Sequence, residues 1–290
     1  MSYCFDTSAV NALHDDPERE AITTGLLATS TLLITALNVV EVCATRCANR
    51  RSSLLGLLKR LSRNRAPLQI PNRLLQSLTV AYGKRQPVGL VLIDSEEAGI
   101  YWAALHEPSK LGEDLRQEVL RWQQNYEEPF KQVFLKAREN FQLIFKQGRT
   151  QRPMSRSALI RHYCRDDGFL FSYVGPIYKR ATGAELSLHE LRGLLLAVPE
   201  WSLWLSGWAL SVYERCIQET RYGAGGTGKS RKKPGTLDLW CAIYLTRCDC
   251  FVTADIPQRR ALRILNVFNP HQPRTRILSY DELRERLLLC

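Results

Sequence analysis

Short apolar runs alternate with helix-period stretches at both ends of the chain, while the middle carries helical spacing alone. Tyr3–Phe5 is an apolar run closed by Asp6. Asp6, Thr7 and Ser8 then supply side-chain oxygens suited to capping a helix that continues through Leu13. A second helix is predicted from about Pro17 to Ala28, and Leu32–Thr35 reads as a short buried strand. Asn38 reads as the opening of a helix that carries Glu41 and runs on to Arg63, with Pro67 and Pro71 punctuating its end. Val88–Ile93 is a further strand candidate. It leads into a helix at Ser95–Leu105 whose first turn holds Glu96 and Glu97, the favourable end for negative charge.

Beyond Pro108 the period changes. Leu111, Leu115, Val119, Trp122 and Tyr126 recur at helical spacing, as do Val133, Ala137, Phe141, Ile144 and Phe145, with Pro129 dividing the two sets. Further helices are predicted at Ser157–Cys164, Leu186–Ala197 and Trp201–Tyr213. The basic, glycine-rich run YGAGGTGKSRKKPG follows. Then come a helix at Leu237–Thr246, strands at Cys250–Thr253 and Arg276–Leu278, and a final helix at Tyr280–Leu288. Strands alternating with helices predict an α/β fold with a mainly parallel sheet covered on both faces. The expected division is a discontinuous α/β core, 1–107 and 234–290, interrupted by an all-helical insertion, 108–233, that ends in the basic glycine-rich loop. Trp201, Trp204 and Trp208 share one helix face and read as core before they read as a base-stacking platform.

Composition agrees with a packed chain: 45% of the 290 residues are hydrophobic and 24% charged. The formal net charge of +11 is unevenly spread. No acidic residue occurs from Val42 to Ile93, a stretch that includes Arg46, Arg50 and Arg51. A second acid-free run spans Lys146–Arg165, and a third, Thr220–Leu237, carries Lys229, Arg231, Lys232 and Lys233. These runs suit contact with RNA, although solvated helix faces would also carry them. The nine cysteines follow neither a disulfide ladder nor a zinc spacing and read as buried, reduced thiols. The opening MSYCFDTSAV has no signal-peptide pattern. Ala21–Val40 is uncharged but rich in threonine, and reads as helix end, turn and strand, so a cytoplasmic protein with no membrane span is expected.

The candidate chemistry is carboxylate chemistry. Ligand sites of open α/β sheets lie beyond the carboxyl ends of the strands. Asp6 ends the first strand, Asp255 follows the CFVT strand, Glu41 sits early on the helix after the second strand, and Asp238 sits in the first turn of its helix. Gathered at one edge, the four would repel, and a hard cation such as Mg²⁺ or Mn²⁺ would resolve the repulsion. Each also has a plainer reading. Asp6 and Asp238 suit helix N-termini, Glu41 a solvated helix face, and Asp255 a turn before Pro257. Two other motifs compete. Gly223–Ser230 fits the P-loop pattern, but a helix precedes it and Pro234 follows, so a mobile basic loop is the reading taken. Arg156 and His162 stand at a spacing used by metal-independent HEPN ribonucleases, but the pattern is short, lacks the Asn often found after the Arg there, and a surface helix is the reading taken.

The segments FDTSAVNAL, TALNVVEV and GTLDLWCAIYLTRCDCFVTAD, together with VLIDSEEAGIYWAAL, resemble PIN-domain nucleases, and VapC-type toxins among them. The resemblance covers roughly 1–107 and 234–290. It implies a doubly wound α/β fold that cleaves RNA with Mg²⁺ or Mn²⁺. Asp6, Glu41 and Asp238 would be metal ligands, and Asp255 a ligand or outer acid. Thr7, Ser8 and Thr253 would orient ligands or water. The toxin-type relatives suggest a structured RNA substrate such as tRNA. An unrestrained cytoplasmic RNase is harmful, so an antitoxin-like or other regulatory partner is expected, and a homo-oligomer is left open. A non-catalytic RNA-binding protein on the same scaffold remains the alternative of a different class. The insertion departs from compact family members, and is read as a lid or arm that shapes substrate choice.

Overall fold

A computed structural model describes residues 1–63, 65–87, 95–108, 111–121, 124, 155–165, 167–222, 236–270 and 273–288. The strand candidate Val88–Ile93 and the loop residues Lys229, Arg231, Lys232 and Lys233 lie outside these.

The sheet has four strands, β1 (Ser2–Phe5), β2 (Thr31–Leu33), β3 (Cys250–Thr253) and β4 (Arg276–Ser279), in the order β2-β1-β3-β4. Every pairing is parallel, with Cys4 beside Leu33 and Phe251, and Val252 beside Phe5 and Leu278. The central strands are the most apolar and the most buried, as a parallel sheet covered on both faces requires. Parallel strands bring all their carboxyl ends to one rim. There the chain leaves β1 at Asp6, β2 toward Thr35 and β3 toward Asp255. An isolated parallel bridge between Thr35 and Leu68 lengthens the β2 side, with the Leu68 N–H donating to the Ile34 carbonyl at 2.8 Å.

Helices α1 (Thr7–Asp15) and α2 (Arg19–Thr29) link β1 to β2. The next helix does not run unbroken from Asn38 to Arg63. It begins earlier, as α3 (Ala36–Cys43), with Thr35 as N-cap and Asn38 as its reciprocal partner in a capping box. It stops at Cys43, and α4 (Ala48–Ser62) starts afresh after Cys47, whose backbone is extended. The Arg51 guanidinium holds the break open, donating to the carbonyls of Thr45 at 2.7 Å and Arg46 at 3.4 Å. Pro71 is not mere punctuation but the first residue of α5 (Pro71–Gly83), where its missing N–H has no partner to lose. Helix α6 (Ser95–His106) follows.

In the helical block, α7 (Arg156–Arg165), α8 (Asp167–Thr182), α9 (Leu188–Ala197) and α10 (Glu200–Tyr222) are described. They do not form a separate core. Trp201, Leu203 and Trp208 belong to the same buried cluster as Phe5, Val39 and Phe251. The Trp201 indole N–H donates to the Thr79 hydroxyl at 3.1 Å, pinning α10 to α5, and Trp204 packs edge-on to Trp201. Helix α10 also rests on α11 (Thr236–Trp240) and on the 3-10 turns Cys241–Thr246 that extend it. At Gly207 the approach is close enough that an added Cβ would stand 3.0 Å from the Leu239 carbonyl oxygen. A buried ion pair, Arg247 to Glu200 at 2.6 Å, clamps the same junction. Helices α12 (Ile256–Leu265) and α13 (Tyr280–Leu288) complete the fold. Among the described residues no helix is long and apolar enough to cross a membrane.

Candidate active site

Asp6 arrives at the carboxyl rim because β1 ends there and α1 must begin there. Its backbone is extended and its Oδ1 caps α1 by accepting the Ala9 N–H at 2.7 Å. The Ser8 hydroxyl lies 2.8 to 2.9 Å from both carboxylate oxygens. The Thr253 hydroxyl, at the end of β3, reaches Oδ2 at 2.8 Å. Burial is the largest influence on this carboxyl. Together with the charge of Glu41 it outweighs the hydrogen bonds from Ala9, Thr253 and Ser8, and lifts the pKa to about 7.

Ser8 also stitches the rim together by accepting the N–H groups of Ala254 at 2.8 Å and Asp255 at 3.1 Å. Asp255 caps α12, its Oδ1 accepting the Gln258 N–H at 2.7 Å. The capping reading therefore holds for Asp6, and Asp255, read from the sequence as a turn residue, is a cap as well; both line the cavity at the rim. Glu41 comes from α3 and Asp238 from α11, each half-buried. One cavity of about 260 Å³ is lined by all four acids, with Thr7 and Ser8 beside them. Its remaining walls include Asn11, Asn38, Cys241 and Gln258, with apolar surface from Phe5, Leu37 and Phe251. The Cys241 thiol registers the crowding: burial raises its pKa well above the ordinary value, and the charges of Glu41, Asp238 and Asp6 raise it further.

The donor set is suited in kind to a hard divalent cation: carboxylate oxygens with hydroxyls behind them, and a buried Asp6 whose charge is poorly compensated. The acids line the cavity without closing on a common centre, since among the described residues no three His, Cys, Asp or Glu side chains are set to hold an ion together. Asp6 and Asp255 each spend an oxygen on a helix cap.

The basic residues are placed less simply. Arg46 is exposed. Arg50 makes a two-pronged pair with Asp15, at 2.8 and 2.7 Å, and also reaches the Asn11 side chain, 3.3 Å away, on the cavity wall. Arg51 is spent on the α3–α4 break. Arg156 pairs with Glu214 at 2.6 Å beneath the Tyr213 ring, and His162 is exposed; neither lines the acid cavity.

Sequence reasoning passed over Asn11, Asn38 and Gln258. Asn38 is buried, and its amide donates to the Phe5 carbonyl at 3.1 Å and the Thr7 hydroxyl at 3.3 Å, fastening α3 to the end of β1. The Thr35–Asn38 spacing was a usable signal for that role. No known family model matches the chain, and neither curated proteins nor solved structures give a match.

Proposed function

We propose that this chain is a metal-dependent endoribonuclease of the PIN type, hydrolysing RNA phosphodiester bonds at the cavity of Asp6, Glu41, Asp238 and Asp255. The observation that carries the reading is convergence. Four acids from β1, α3, α11 and the turn after β3 line a single cavity at the carboxyl rim of a parallel sheet. Neighbouring parallel strands bring the caps Asp6 and Asp255 to one rim in any case, but Glu41, inside α3, caps no helix and joins them in the same cavity.

Mg²⁺ or Mn²⁺ held by Asp6, Glu41 and Asp238, with Asp255 as a further ligand or outer support, would polarise the phosphate and supply hydroxide at neutral pH. The protein's own contribution is placement. Ala9, Ser8 and Thr253 fix the Asp6 carboxylate and offset part of what burial costs its charged form. Thr7 is steadied by Asn38. Phe5, Leu37 and Phe251 keep part of the wall dry, which strengthens each charge interaction within. By resemblance the substrate is structured RNA such as tRNA. A toxin-like role in the cytoplasm, an antitoxin-like partner and self-association extend the same reading.

The test uses the purified full chain and a total RNA pool. Cleavage is expected with Mg²⁺ or Mn²⁺ and should cease with EDTA. Asp238→Asn, and Asp6→Asn, which keeps the helix cap, should each lower the rate at least about a hundredfold while RNA is still bound. Undiminished cleavage by both variants overturns the reading. A wild type that binds RNA and never cuts it would instead be an RNA-binding protein on this scaffold. EDTA-resistant cleavage lost in His162→Ala would move the chemistry to the Arg156 and His162 pair.

A further inference from the structure

Gln258 lines the acid cavity while being only 1% exposed. Its Oε1 lies 2.7 Å from the Thr253 hydroxyl, and its Nε2 lies 3.4 Å from the Asp238 carbonyl oxygen. One side chain on α12 therefore spans the end of β3 and the helix that carries Asp238. Asp238 lies in the α-helical turn Thr236–Trp240, before the 3-10 turns Cys241–Thr246 take over, and the Gln258 amide is a tie from α12 to that turn. Burying an amide is unfavourable unless both its ends are bonded, so an apolar side chain would fill this space at lower cost if filling it were the whole task.

The hydroxyl of Thr253 sharpens the point. It has one proton and two acceptors, Asp6 Oδ2 and Gln258 Oε1. Through that shared donor the amide is tied to Asp6 as well as to Asp238.

We propose that Gln258 is the positioning residue of the acid cavity, fixing Asp238 against the Asp6–Thr253 pair and so setting the spacing on which cation binding depends. This rests on the metal-dependent reading above. Gln258 touches neither substrate nor cation; it acts through the backbone of Asp238 and the hydroxyl of Thr253.

The test is calorimetric titration of Mn²⁺ into the full-length wild type and into Gln258→Met, which matches the side chain in length and makes neither bond. Mn²⁺ affinity is expected to fall about tenfold, the usual loss when a group behind a ligand is removed. In the metal-free protein, amide exchange at Leu239 and Trp240 should accelerate. In RNA cleavage, kcat at limiting Mn²⁺ should drop and recover at saturating Mn²⁺, with KM unchanged, a pattern that simple destabilisation does not give. Gln258→Asn, polar but one methylene too short to span both partners, should weaken Mn²⁺ equally and serves if the methionine variant does not fold. Wild-type affinity in a folded variant overturns the positioning role alone. A wild type that binds no Mn²⁺ overturns both the metal-dependent reading and the role that rests on it.

Discussion

At Asp6 and Asp255 one carboxylate serves a helix N-terminus and an acidic cavity together. That overlap is why each was visible in the sequence under two descriptions. Singly each acid was ordinary, since helix starts favour carboxylates; the acids were legible as a set, each following or adjoining a strand or helix start in one order along the chain. Gln258 and Asn11 were not, since a lone amide forms no pattern and the partners of Gln258 include Asp238, on a different element. Asp15 offers a separate check on residue-level electrostatics. The hydrogen bond from Arg50, then that from His14, hold its carboxyl down at about 2, below the ordinary value near ~3.9. The folded state therefore favours the charged form. Its contribution is complete above pH ~4 and is lost as pH falls through about 2. The pair is solvent-exposed and its effect small. Urea midpoints of wild type and Asp15→Asn should differ slightly at pH 6 and converge toward pH 2; a gap that widens in acid would contradict the assignment.

Among the elements, the sheet was legible and several helices were not. Each described strand coincides with a short apolar run, because central parallel strands need apolar side chains on both faces. Helices α5 and α12 are not visible in the sequence because Pro71 and Pro257 read as punctuation and turn, whereas each lies in the first turn of its helix. Helix α8, with Pro176 inside it, has no apolar period that marks it apart from its neighbours. The close approach at Gly207 gives the helical block a role that its composition did not announce, since α10 presses on the residue after Asp238. A glycine in mid-helix ordinarily gains about 1 kcal/mol on becoming alanine. At Gly207 the new methyl would meet the Leu239 carbonyl at 3.0 Å, and overpacking of ~1–3 kcal/mol offsets that gain. Gly56, in α4, has nothing within 4 Å of such a methyl. Gly56→Ala should raise the melting temperature and leave cleavage alone. Gly207→Ala should lower cleavage with little or no gain in melting temperature. Equal behaviour of the two would show that α10 does not bear on the acid rim.

For the molecule as a whole, the net charge of +11 predicts attraction to polyanions but not where they bind. Arg50 and Arg51, expected to meet RNA, are engaged with Asp15 and with backbone carbonyls. Charge counting could not have seen this, because Asp15 comes from α1. If RNA is held through about three phosphates, binding should weaken more than about tenfold between 50 and 200 mM salt. Fluorescence anisotropy with a labelled single strand measures this, and a flat salt response would deny the charge any part in binding.

The strand order has a consequence for biosynthesis. β1 sits between β2 and β3, so it is completed on one side by a segment made some 245 residues after it. The ribosome delivers the chain from its N-terminal side, and a parallel pairing this distant forms late. Until residue 253 has emerged, Asp6 has neither the neighbouring strand nor the Thr253 hydroxyl that hold it. A nascent chain, or one cut short before residue 253, therefore lacks the β3 strand and the Thr253 hydroxyl, and the acid rim is assembled only once that later segment has emerged.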